Sequence, residues 1–181
     1  MKRGLITWDP SEIPPAVFNE RLDGVQRALK ERDLPALVIY SDMWRSNQAR
    51  FFSNFMPYFN RAMLIISCDT PPTLLCGLSP RVYGWIRSVT IIQDIRPARN
   101  FAEPLFDIAG ERNWLRIGAL DLDRFPYDIH TALHAGQIAL VNLESQVIFS
   151  PAEDEKELTI ANGRDDCRSN PGRRNRPGRR S

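Results

Sequence analysis

Two stretches of the chain, Ala36-Leu-Val-Ile-Tyr40 and Ala62-Met-Leu-Ile-Ile66, are apolar at every position and then stop. A half-exposed strand alternates apolar with polar residues, so unbroken apolarity over so short a run means burial on both faces. Strands of that kind need helices above and below the sheet, which points to an α/β sandwich. The same runs fall far short of the roughly 20 apolar residues that a membrane-crossing helix requires. Coiled-coil, collagen-like and fully disordered readings are excluded as well, because 43% of the 181 residues are apolar and carry no matching repeat.

The segments between the strands read as helices. Phe18, Leu22, Val25 and Leu29 recur four, three and four residues apart, which makes one apolar stripe on a helix from about Pro15 to Arg32. Leu34-Pro35 ends it, and the first strand follows. A helix is expected over Trp44–Asn54, then a strand over Ala62–Ser67. Asp69-Thr-Pro-Pro72 is turn chemistry, so Thr73–Cys76 is expected to return as the second arm of an antiparallel hairpin. Further along, a helix is expected over Arg81–Ser88, a strand over Thr90–Ile95, a helix over Phe101–Arg112 and a strand over Leu115–Leu120. Pro126 sits in the first turn of a helix that runs to Ala135, where Gly136 supplies a C-terminal cap, and Gln137–Leu143 forms the last strand. Six strands alternating with about five helices give a mixed sheet covered by helices.

Charge divides the chain. The net charge of +2 averages a body over residues 1–162, with 17 basic and 20 acidic groups, against residues 163–181, with seven Arg and two Asp. The body offers no broad basic surface for nucleic acid. The last 19 residues contain no Val, Ile, Leu, Phe, Met, Trp or Tyr and are expected to be disordered, since they cannot bury enough apolar area to offset ordering entropy. Four segments are therefore expected: an arm over 1–16, a domain over 17–150, the start of a linker helix over 151–162 with acids in its first turns, and the Arg/Gly/Pro-rich tail over 163–181. Cys68, Cys76 and Cys167 are odd in number and lack C-x-x-C spacing; Lys2 and Arg3 are followed by no apolar signal core. A reducing cytoplasm is the expected compartment.

The order of short motifs then becomes informative. Phe18-Asn-Glu-Arg-Leu22 opens the first helix; Leu34-Pro-Ala-Leu-Val-Ile-Tyr40 follows; residues 47–55 read NQARFFSNF; Arg61 precedes Ala62-Met-Leu-Ile-Ile66; Pro72-Thr-Leu-Leu75 and Ile91-Ile-Gln-Asp-Ile-Arg96 come after. Over residues 15–160 this pattern resembles the N-terminal domain of the creatinase/prolidase/aminopeptidase P family. The resemblance implies a ribonuclease H-like topology for the mixed sheet and a domain that does not carry the reaction itself. In that family a larger catalytic domain follows, usually holding two divalent metals with two Asp, one His and two Glu. Residues 150–158, SPAEDEKEL, resemble the junction into that domain, but the family pattern stops soon after Asn162. No cofactor is expected in this chain, and a frameshifted or otherwise truncated hydrolase is the expected origin of the tail.

The resemblance also assigns a role to Tyr58-Phe59-Asn60-Arg61. Creatinase-like members place an aromatic and an Arg in the matching segment, where they reach into the partner subunit's active site and hold a substrate carboxylate. Phe59 and Arg61 are therefore the candidate substrate-binding residues, acting across a dimer, with Asn60 departing from the small residue of the creatinase pattern. A guanidinium fork suits a carboxylate, and an aromatic wall desolvates the pair. The ordinary alternative is a strand-entry Arg in a surface ion pair.

Other candidates are weaker. His130 and His134, the only histidines, share a helix face at i and i+4, a spacing that can clamp zinc; Thr131 stands where a metalloprotease helix has its Glu, and no third ligand adjoins, so no metal is assigned. Asp121 and Asp123 follow a strand, and alternation puts both on a solvent face. Trp44, Phe51, Phe52, Phe55, Tyr58 and Phe59 cluster with Arg45, Arg50 and Arg61, a mixture that marks core plus protein interface more than nucleotide stacking. Phosphate loops and nucleophile motifs are absent. The expected function is a non-catalytic module for dimerisation and substrate-site completion, its partner a second copy or the catalytic domain; no membrane is involved. The alternative is a nucleic-acid- or protein-binding module acting through the Arg-rich tail. A free-standing small amidohydrolase finds no credible base or metal shell.

Overall fold

The computed structural model describes residues 7–136 and 138–144. The expected linker helix over 151–162, the tail over 163–181, Cys167 and the beginning of the arm lie outside the described residues.

The chain runs α1 (Pro15–Glu31), β1 (Ala36–Asp42), α2 (Asn47–Ser53), β2 (Arg61–Ser67), β3 (Thr73–Cys76), α3 (Tyr83–Val89), β4 (Asp94–Pro97), α4 (Ala102–Glu111), β5 (Arg116–Leu120), α5 (Tyr127–His134) and β6 (Ala139–Leu143). One sheet holds all six strands in the order β4-β3-β2-β1-β5-β6. Strand β2 is antiparallel to β1 and β3, whereas β1/β5, β5/β6 and β3/β4 are parallel pairs. Five strands thus run one way and β2 runs against them. This is the mixed sheet with ribonuclease H-like topology, a three-strand meander with β5 and β6 added in parallel beside its first strand and β4 beside its third.

The two wholly apolar runs are the middle of the sheet. Leu37, Val38, Ile39, Met63, Leu64 and Ile66 are all essentially inaccessible to water. Alternate residues divide them between two helical layers. Val38, Tyr40, Met63 and Ile65 join α4 residues Leu105 and Ile108 and α5 residues Ile129 and Leu133 in one core. On the other face α1 and α2 pack against β1 and β2, and the predicted stripe of Phe18, Leu22, Val25 and Leu29 is buried in full. Burial of one such side chain contributes about 2 kcal/mol, which is why a helix with a proline at its start and no capping side chain is stable here.

Several boundaries differ from the sequence expectation, each for a local reason. Helix α2 starts at Asn47 rather than Trp44, because Asp42 Oδ1 accepts from the backbone N–H groups of Trp44 and Arg45 at 2.8 and 2.7 Å and holds them in a turn. Strand β4 begins at Asp94, not Thr90. Thr90 Oγ1 and Ile91 N–H donate to the Ser53 carbonyl at 2.5 and 3.4 Å, so the apolar run around Ile92 is a buried connector tied to α2. Strand β5 starts at Arg116, leaving Leu115 81% exposed. Helix α5 starts at Tyr127, with Pro126 just before it. Gly136 closes the helix through its N–H to the Leu133 carbonyl, and a side chain there would collide with the Phe106 ring.

Candidate functional site

The carboxyl end of β1 is where the chemistry-bearing residues collect. From β1 the chain crosses to β2 on one side, while from β5 it crosses to β6 on the other. The crevice between β1 and β5 is therefore a topological switch point, the place where an open α/β sheet forms a ligand cleft. Ile39, Tyr40, Leu120 and Asp121 form its floor, and Trp44, Arg45, Gln48 and Arg124 its rim, around a cavity of about 160 Å³.

Asp121 marks the exit of β5. It adopts a left-handed backbone conformation, φ 50°, and its side chain is nearly buried. Gln48 Nε2 donates to it at 3.0 Å, and Arg124 Nη1 lies 3.7 Å away. Arg45 Nη1 donates to the Arg124 carbonyl at 2.7 Å and ties the entry of α2 to the exit of β5. Asp123, by contrast, is exposed in the turn after β5. The expectation that Asp121 and Asp123 share one solvent face is therefore corrected: β5 ends at Leu120, the alternation ends with it, and the two acids point into different surroundings.

Beside this crevice a wider groove of about 380 Å³ is lined by Tyr40, Asp42, Met43, Trp44, Phe59, Asn60 and Arg61. Asp42 pairs with Arg61 across the β1/β2 ladder, so the strand that ends the floor and the strand that begins the rim meet in register. Tyr40 Oη donates to Asp42 Oδ2 at 3.1 Å; burial and the adjacent Asp42 charge push the Tyr40 hydroxyl pKa well above its ordinary value, so it stays a neutral donor. Phe59 has φ 47° and is 73% exposed, packed edge-on to Tyr58 at 4.5 Å. A left-handed backbone is strained for an aromatic residue, and in this conformation the ring is turned outward. Asn60 follows with its Oδ1 accepting from Arg61 N–H at 2.8 Å and its Nδ2 donating to the Gly77 carbonyl at 3.4 Å. Gly77 is what allows this, because a Cβ there would sit 2.2 Å from Asn60 Oδ1. The departure at Asn60 thus has a structural use: it locks the loop between its two candidate residues.

Arg61 Nη1 donates to Asp128 Oδ2 at 2.7 Å, in a pair whose side chains are 44% and 63% exposed. The hydrogen bond from Arg61 holds the Asp128 carboxyl below its usual range, and Asp128 in turn raises the guanidinium. Arg61 lines the groove and its side chain stays nearly half exposed. Asp128, in the first turn of α5, carried no sequence signal as its partner, since 67 residues separate the two.

The aromatic cluster divides. Phe52 and Phe55 are core, at 1% and 0% exposure, while Trp44 at 85% and Phe59 at 73% stand out from the surface. Phe51 is roofed by the Arg21 guanidinium, 4.0 Å from its ring centre. The NQARFFSNF stretch owes its last residues to packing: Asn54, left-handed at φ 61°, ends α2 and donates from Nδ2 to the Val89 carbonyl at 2.9 Å. His130 and His134 lie on the outer face of α5 with their Nε2 atoms 3.2 Å apart. Among the described residues no three or more His, Cys, Asp or Glu side chains gather as metal ligands. No helix among them is long and apolar enough to cross a membrane.

Comparison with solved structures identifies the fold. The chain is similar to a Xaa-Pro aminopeptidase structure from Streptococcus pyogenes, with 16% identity, 73% of this chain and 95% of that chain covered, and a TM-score of 0.59. It is similar to the N-terminal domain of the cytoplasmic peptidase PepQ from Mycobacterium tuberculosis, with 20% identity, coverage of 71% and 95%, and a TM-score of 0.56. A Xaa-Pro dipeptidase from Bacillus anthracis matches at 13% identity and TM-score 0.56, over 72% of this chain but 34% of that one. No protein-family model matches the chain, and no curated protein matches it by sequence. The described residues have the fold of creatinase/prolidase-type N-terminal domains.

Proposed function

We propose that this chain serves as a non-catalytic module of the Xaa-Pro peptidase type, which docks a protein partner through the carboxyl end of β1 and presents Phe59 and Arg61 to that partner's substrate site. The observation that carries the reading is the pairing of Trp44 and Phe59, both far out of the core, with a half-exposed Arg61 on one groove. Protruding aromatics beside an Arg are the composition of interface anchors. An Arg held by a single carboxylate keeps donors for a second one, and a peptide or dipeptide substrate ends in a carboxylate. The preferred partner is a second copy of the chain or a catalytic domain. Free thiols at Cys68 and Cys76 agree with a cytoplasmic setting.

Catalysis by the module itself is tested by incubating the purified chain with Xaa-Pro dipeptides and added manganese. The expected result is no turnover above the metal alone. Turnover that copurifies with the chain and is lost in Asp121→Asn would overturn the non-catalytic reading.

A further inference from the structure

The outer face of α5 carries Tyr127, His130 and His134 at i, i+3 and i+7, away from the Arg61–Asp128 pair that anchors the helix start. Its inner face, Ile129 and Leu133, is buried in the core, so the rotation of the helix is settled and the two imidazoles lie outside the core, His134 exposed and His130 half-buried. Their Nε2 atoms approach to 3.2 Å, with ring centres 4.3 Å apart and planes tilted by 52°. Two facing ring nitrogens can share at most one proton as a hydrogen bond, which leaves a lone pair on each when both protons sit on Nδ1.

We propose that His130 and His134 form a two-imidazole chelate for a divalent transition metal, taking copper(II) or nickel(II) ahead of zinc(II). A metal at the usual 2.0–2.1 Å from both nitrogens closes a 3.2 Å gap with an N–metal–N angle of roughly 100°. That lies between the right angle of square-planar or octahedral coordination and the tetrahedral angle, so all three ions fit without moving the helix. The order of preference follows the general stability series for nitrogen ligands. The remaining coordination positions belong to water. Spacing alone left this pair as an ordinary helix face; the 3.2 Å approach of the two nitrogens is what singles it out. Thr131 occupies the position of a metalloprotease base, so the inference concerns binding, and no reaction is assigned to the site.

The test is a nickel(II) titration of the full chain by calorimetry, with Cys167→Ser in every sample to remove that thiol from competition. One equivalent should bind, and His130→Ala and His134→Ala should each weaken binding by about tenfold or more, since each breaks the chelate. Asp128→Asn should leave it unchanged. His134 is exposed and His130 half-buried outside the core, so far-ultraviolet circular dichroism should show the variants folded. Absence of nickel binding in the parent chain overturns the proposal. So does binding that survives either histidine substitution, because the metal is then held elsewhere.

Discussion

The two ends of β1 are built on opposite principles. At its amino end the polar groups are bound to one another: Gln26 Nε2 donates to the Ser67 carbonyl at 2.8 Å, Cys68 Sγ to the Leu34 carbonyl at 3.2 Å, and Arg112 Nη1 to Thr70 Oγ1 at 2.5 Å. The same guanidinium covers the buried Trp114, 5.1 Å from its ring centre. At the carboxyl end Trp44 and Phe59 face water, Phe59 and Asp121 hold left-handed backbone conformations, and Arg61 pairs with the exposed carboxylate of Asp128. One end closes the sheet and the other displays side chains. The difference teaches that exposure at the carboxyl end reflects local backbone choices, since the elements around the amino end of the same strand bond their polar groups to one another.

This contrast predicts unequal responses to mutation. The largest effect should come from Trp114→Ala at the closed end, which should destabilise the fold by about 3 kcal/mol in urea unfolding, the usual range for loss of a buried aromatic. Arg112→Ala should follow with about 1–2 kcal/mol, because it removes the hydrogen bonds to Thr70 and Ser67 and uncovers Trp114. At the display end, Phe59→Gly should leave stability unchanged or raise it by up to about 1 kcal/mol, as glycine accepts φ 47° without strain. A loss of 2 kcal/mol there would mean that the ring is part of the core and would erase the contrast. The smallest effect should come from Asp128→Asn. The Asp128 carboxyl titrates below its ordinary value in the folded chain, so its pair stabilises the fold above the ordinary carboxylate range and the contribution fades as pH falls through the folded value. Parent and variant should differ by less than about 1 kcal/mol at pH 7, given the exposure of both side chains, and coincide in acid.

Much of this architecture was legible in the sequence, for identifiable reasons. The central strands β1 and β2 declared themselves by apolarity on both faces, and α1 by its stripe of four buried residues. Strand β4 was misplaced because the apolar pair Ile91-Ile92 belongs to a connector held for another cause: Thr90 bonds to the Ser53 carbonyl at the end of α2, a contact 37 residues away in the chain. Phe59 and Arg61 could be named from their motif, but their geometry could not. The left-handed turn at Phe59 depends on Asn60 bracing against Gly77, and the orientation of Arg61 depends on Asp128. Asp121 was visible as an acid after a strand, yet its burial comes from Gln48 on a different element. Local pattern specifies elements; the site is assembled by contacts between segments far apart in sequence.

The central claim, that the carboxyl end of β1 is a docking surface, is tested most directly by sedimentation velocity of the full chain across micromolar concentrations, parent against Trp44→Glu/Phe59→Glu. Both positions are exposed, so the variant should fold as the parent does. The account predicts a concentration-dependent dimer for the parent and a monomer for the variant at every concentration. A parent that stays monomeric throughout, or a dimer that persists in the variant, would contradict it.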